Sequence, residues 1–189
     1  RYLPAATENA MGPSWIDPRT GEIITATVLV YNDVVNVINS WRFIQTAQLD
    51  PAARTLNMPD SILEASLEYI VGHEVGHTLG LMHNMAASAA IPTDSLRSVD
   101  FTQKYGTTAS IMDYARFNYV AQPSDKGVSL TPPILGVYDK YAIEWGYRVF
   151  PNSKGFRDDI KPLQELVAQH ETDPMYRYGM QQTGIKYDD

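Results

Sequence analysis

The sequence predicts an α/β (α+β) fold, and three features carry that reading. Residues 14–31 have the pattern of a β-hairpin. Residues 61–79 form a long proline-free stretch of helical composition. Residues 134–147 repeat apolar side chains at four-residue spacing. The chain has 189 residues, enough for one ordinary domain and short for two, so positions 1–189 read as a single unit. Hydrophobic residues make up 44% and charged residues 20%, which suffices for a packed core and argues against wholesale disorder.

Residues 1–13 carry Pro4 and Pro13 and no periodicity, and read as loop. Ser14 to Asp17 and Glu22 to Tyr31 form the hairpin arms, with Pro18-Arg19-Thr20-Gly21 supplying the turn. Ile24, Ala26, Val28 and Val30 alternate along the second arm and are expected to face the core. Asp33 is placed to cap a helix running to about Ala47, with Val34, Val37, Ile38, Trp41 and Ile44 at helical spacing. A connector with Pro51 and Pro59 follows. Ser61-Ile62-Leu63-Glu64 has the capping-box pattern, and the helix it opens extends to Leu79.

On a helical wheel, Ile62, Leu63, Leu67, Ile70, Val71, Val75 and Leu79 leave only Glu64 and Glu68 as a charged strip away from the histidines. That predicts a helix buried nearly all round. Ala65, Gly72 and Gly76 share a small-residue edge. An interior glycine costs roughly 1 kcal/mol against alanine, so a close neighbour is expected there. Residues 84–109 read as irregular, with one helical turn near Ser95 to Tyr105. A loop over 122–133 precedes a helix from Ile134 to Tyr147, where Val137, Tyr141 and Trp145 read as core. Asp158 to His170 forms a further helix, with His170 as a surface residue.

Composition removes several functions. The 22 acidic and 15 basic residues give a net charge of −7, without a Lys/Arg cluster, which argues against nucleic acid as a partner. The longest apolar run, Ile23 to Tyr31, is far too short for a membrane span. The absence of cysteine excludes disulfides, thiol catalysis and cysteine-ligated metals. The chain begins at Arg1 and is expected to be a fragment of a longer polypeptide. Its oligomeric state is not encoded in any pattern found.

Three of the four histidines fall within eleven residues, in His73-Glu74-Val75-Gly76-His77-Thr78-Leu79-Gly80-Leu81-Met82-His83. On a helix, His73 and His77 lie about 40° apart and about 6 Å along the axis, so both imidazoles can reach one ion. His83 would point about 240° away from His77 on a continuing helix. It can join the pair only if the chain reverses, and Gly80 supplies the residue that reverses it cheaply. Three imidazoles with one open position suit a catalytic Zn2+. Glu74, one step round from His73, can reach a water polarised by that ion and act as general base. By chance, this composition would yield the full pattern on the order of 5 times in a million chains, so three merely structural core histidines are a poor explanation.

His-Glu-x-x-His-x-x-Gly-x-x-His resembles the zinc signature of the metzincin clan of metallopeptidases. Ser110-Ile111-Met112-Asp113-Tyr114 is similar to the clan's Met-turn and follows His83 by 29 residues. The resemblance implies Met112 as an apolar floor beneath the metal and Tyr114 as a transition-state helper. The stretches Asp17 to Ile23, His73 to Asn84, Ser110 to Gln122 and Tyr138 to Tyr147 most resemble bacterial, largely Bacteroidetes-type, zinc-dependent metalloproteases. Asn84 departs from the Ser, Asp or Glu that better-known families place after the third histidine. The usual strands before the active-site helix are also missing, apart from the hairpin.

The resemblance implies a zincin-like catalytic domain. Its upper part, residues 1–80, carries a small sheet and the active-site helix. Its lower part, residues 81–189, carries the third histidine, the Met-turn and the C-terminal helices. It also implies a zinc endopeptidase acting on protein or peptide substrates, in a parent protein that is secreted or periplasmic. A specialised glycopeptide or cell-wall peptide amide hydrolase, and a non-catalytic zinc-containing binding module, are the alternatives.

Overall fold

The computed structural model describes residues 1–5, 7–55, 57–131 and 135–181. Two small sheets come first. Strands β1 (Tyr2–Leu3), β2 (Ala10–Met11) and β5 (Leu29–Tyr31) form one in the order β1-β5-β2, with β1 parallel and β2 antiparallel to β5. Strands β3 (Ser14–Ile16) and β4 (Ile23–Ala26) form the expected antiparallel hairpin. Its turn closes through the Gly21 N–H on the Asp17 carbonyl at 2.8 Å, with Gly21 at φ +77°.

The second arm is not the single strand that the sequence predicts. It breaks after Ala26, where the Thr27 N–H bonds the Pro13 carbonyl, and β5 turns to the other sheet. The alternation therefore does not hold, and Ile24 is 68% exposed rather than in the core. Strands β1 and β2 fall in the segment read as loop. Two residues are too few to show a period of two.

Helix α1 (Val34–Thr46) starts where expected, but the Asp33 side chain makes no capping bond. Its buried line is Val34, Ile38, Arg42 and Thr46, while Ile44 is exposed. Arg42 is tolerated inside because Asp50 pairs with it at 2.8 Å. Helix α2 (Asp60–Thr78) starts behind Pro59, whose carbonyl accepts from the Ile62 and Leu63 N–H groups. The capping box at Ser61 does not form, because the helix has already begun one residue earlier. Nor is α2 buried all round. Ser66, Tyr69, His73, Glu74 and Gly76 are buried, whereas Val71, Val75 and Leu79 stay partly exposed. Packing on one side alone decides which stripe is inside.

Beyond α2 the chain makes two short helices, α3 (Thr93–Leu96) and α4 (Val99–Tyr105), where one turn was expected. Ser98 caps α4, and Gly106 at φ +71° ends it. Helix α5 (Val137–Tyr147) ends as expected, while Ile134 lies outside the described residues. Trp145 on α5 is 50% exposed, so it is not the core residue its spacing suggested. Helix α6 (Phe156–Ala168) and a 3-10 turn at Pro174–Tyr176 complete the fold. No described helix is long and apolar enough to cross a membrane.

The reversal after α2 is a Schellman motif. The Gly80 N–H bonds the His77 carbonyl and the Leu81 N–H bonds the Gly76 carbonyl, both at 3.0 Å, with Gly80 at φ +87°. A side chain there is strained whatever the space around it. Gly80→Ala is expected to lower stability by about 1–2 kcal/mol, the usual left-handed penalty. Urea unfolding of both proteins measures it, and an unchanged midpoint would remove the role given to Gly80.

Candidate metal centre

Helix α2 presents His73 and His77 on one face, and the Gly80 reversal returns His83 to them. The Nε2 atom of His83 lies 3.3 Å from that of His73 and 3.1 Å from that of His77. Each opposite nitrogen meets an oxygen. His73 Nδ1 is 2.5 Å from the Ile111 carbonyl, His77 Nδ1 is 2.9 Å from the Leu81 carbonyl, and His83 Nδ1 is 2.6 Å from the Gln181 side-chain oxygen. A carbonyl oxygen accepts only, so each Nδ1 must carry the proton and donate. All three Nε2 lone pairs are then left facing one another. Three acceptors at that spacing cannot satisfy each other, and a shared cation resolves the conflict. Among the described residues this trio is the group of side chains set to hold a metal ion, and three neutral imidazoles fit zinc. Burial pushes the pKa of His73 down to about 4, which also favours the neutral ring.

Glu74 and Tyr114 stand beside the trio. Both line the same cleft of about 450 Å³ as the three histidines. The Tyr114 ring packs edge-on against His83, with centroids 4.6 Å apart, and stacks against His73 at 5.8 Å. Burial raises the pKa of Glu74, against the pull of His83 and of a hydrogen bond from the Gly12 N–H. A Cβ at Gly12 would lie 2.5 Å from the Glu74 carbonyl oxygen, so the absence of a side chain lets the strand segment close over the glutamate.

Met112 is fully buried and packs with Tyr69 and Ile111. A Cβ on Gly76 would collide with its sulfur. The close neighbour expected at the small-residue edge of α2 is therefore Met112, which packs at Gly76.

The loop carrying Met112 is held from behind. Buried Asp139 on α5 accepts from the Ser110 hydroxyl at 2.6 Å, the Ile111 N–H at 2.9 Å and the Gly136 N–H at 2.7 Å. Asn84, wholly buried, donates its backbone N–H to the Met112 carbonyl at 3.0 Å. Its side chain donates to the Arg177 carbonyl and accepts from the Gly179 N–H. The residue that departs from the better-known families thus binds the third-histidine loop to the Met112 loop and to the segment bearing Gln181.

Sequence reasoning missed Asp139, Gln181 and Gly12. Nothing local marks them, since each acts on a group far along the chain. Asn84 did carry a signal, as a departure from the pattern after the third histidine.

The sequence model of a family described as Met-zincin matches residues 55–189. The chain belongs to the Met-zincin family. The match begins just before α2 and takes in the three histidines and Met112, as well as the C-terminal segment that contacts His83. Met-zincin membership and the three-histidine cluster agree on a zincin fold and a zinc-type centre. No curated protein and no solved structure matches the chain.

The hydrogen bond from His83 to Gln181 makes a direct prediction. Gln181→Leu should weaken zinc binding about 10- to 100-fold, the usual effect of losing a partner that orients a ligand. Gln181→Glu keeps an acceptor and should retain most of the affinity. Competition with a chromophoric chelator reads both, and equal affinity of the Leu variant and the wild type would show that Gln181 does not orient His83.

Proposed function

We propose that this chain is the catalytic region of a zinc-dependent endopeptidase, acting on protein or peptide substrates. One observation carries the proposal. Glu74 and Tyr114 flank three converging imidazoles in a single cleft, beside the edge of a sheet. The zinc that His73, His77 and His83 would hold supplies, when bound, an acidified water and a polarised peptide carbonyl.

The protein's own groups account for the remaining steps. The Glu74 carboxylate takes the proton of the attacking water and passes it to the leaving amine. Its upward-shifted pKa brings it closer to the operating pH, which improves a base of this kind. The Tyr114 hydroxyl donates to the oxygen that gains charge as the carbonyl is attacked. Burial raises its pKa, and Glu74 adds to the rise against the pull of Arg116, so the hydroxyl keeps its proton.

Strand β2 is an outer strand of its sheet, and Glu8, Asn9, Ala10, Met11 and Gly12 line the cleft. An extended peptide can add to that edge through main-chain hydrogen bonds, which brings a backbone carbonyl towards the histidines. Export of the parent protein to the periplasm or beyond, and a place among bacterial, largely Bacteroidetes-type, proteases, belong to the same proposal. They rest on the precedent of the clan and on sequence likeness.

Two variants separate the roles. Glu74→Gln leaves the three ligands in place and should retain zinc while losing peptide hydrolysis about 10²–10⁴-fold. Tyr114→Phe should lower kcat about 10²–10³-fold, with zinc content and KM little changed. Steady-state hydrolysis by the full-length parent, with metal analysis of each variant, measures both. Hydrolysis by Glu74→Gln at the wild-type rate would contradict the mechanism. A silent Tyr114→Phe would remove the tyrosine's role and leave that of Glu74.

A further inference from the structure

The cleft contains a cation that the chemistry above does not use. Arg116 lies four residues past Met112 and lines the cleft together with Trp41, Tyr69, Ile70 and Tyr114. Its guanidinium stacks over the Trp41 ring at 3.8 Å and lies 5.5 Å from the centre of the Tyr114 ring. The side chain is half-buried, yet among the described residues it forms neither an ion pair nor a hydrogen bond. The contrast with the other inward arginine is direct, since buried Arg42 holds Asp50 at 2.8 Å.

Carboxylates near Arg116 do not change this. Asp113, on the same loop, accepts from the Ser88 N–H at 2.7 Å and the Tyr114 N–H at 2.6 Å. Glu8 and Glu74 line the cleft without pairing with it. Stacking on Trp41 satisfies the face of the guanidinium and leaves its in-plane N–H donors unused. Val34, Val37, Ile70 and Trp41 form an apolar wall around that end of the cleft, where a charge pair is less screened than in open water.

We infer that Arg116 is the specificity element of the cleft, selecting peptides that bring a carboxylate close to the bond being cleaved. The inference rests on the peptidase reading for its substrate class. The guanidinium reads a carboxylate through two parallel N–H···O bonds while Trp41 holds its plane. That carboxylate can belong to an Asp or Glu side chain or to the free end of a peptide, and the same chemistry recognises either.

The test uses the wild-type protein and octapeptide sublibraries labelled at one end. In one set the far end is amidated, and Glu or Gln is fixed at each position in turn. A second set has no acidic side chain and ends in a free carboxylate or an amide. Fluorescence polarisation reads binding at early times, and mass spectrometry reads cleavage.

At one or two positions, or at the free terminus, the carboxylate member should bind on the order of 10- to 100-fold more tightly than its neutral partner, as expected for a charge-assisted contact. Raising the salt concentration should shrink the preference. Arg116→Gln should abolish it, and Arg116→Glu should turn it towards Lys. Equal binding of the members of every pair, including no binding at all, overturns the inference. So does a preference that persists in Arg116→Gln, or one in the wild type that salt does not weaken, which needs no variant to fold. Acid-selective binding without cleavage removes the peptidase reading and keeps the carboxylate site. Cleavage without acid selection does the reverse.

Discussion

Three hydrogen bonds from imidazole Nδ1–H groups to carbonyl oxygens set the geometry on which the centre depends. Each bond fixes one ring in orientation and tautomer, and together they turn three Nε2 lone pairs towards one point. The acceptors come from three different segments. Leu81 lies in the reversal after α2, Ile111 in the loop that carries Met112 and Gln181 near the end of the described chain. The three rings hold these orientations only while those segments are in place together.

Helix α5 does much of that ordering. From its first turn, Asp139 holds the Ser110 hydroxyl and the Ile111 N–H, and hence the residue whose carbonyl meets His73. On the same helix, Tyr138 stacks against Tyr178 and Tyr141 meets Tyr176 edge-on, which anchors the segment that leads to Gln181. At its far end, the Tyr147 hydroxyl donates to the Leu79 carbonyl, beside the reversal that returns His83. One helix therefore braces the surroundings of all three acceptors. Asn84 then ties the third-histidine loop to the other two segments from within. Gly76 lets Met112 close against α2, so the helix that bears His73 and His77 rests there on a fully buried side chain.

The parts legible in the sequence are those whose cause is local. The hairpin turn at Pro18 to Gly21, the long helix through His77 and the Gly80 reversal all follow from residues within a few positions of one another. The convergence of His73, His77 and His83 was legible because helical spacing and one glycine suffice to bring them together. Orientation was not legible, because it is supplied across long separations. His83 and Gln181 are 98 residues apart, and Ser110 and Asp139 are 29 apart. No periodicity encodes such pairs. Burial failed for a related reason. Ile24, Ile44 and Trp145 have the spacing of core residues, but nothing in their own segments says whether another element will cover them.

Zinc-edge X-ray absorption on the purified, zinc-loaded protein tests the central claim most directly. Convergence of the three rings predicts three imidazole nitrogens at about 2.0–2.1 Å with one further light ligand, and loss of one imidazole in His83→Ala. A spectrum with fewer than three imidazoles, or one that His83→Ala leaves unchanged, would contradict it.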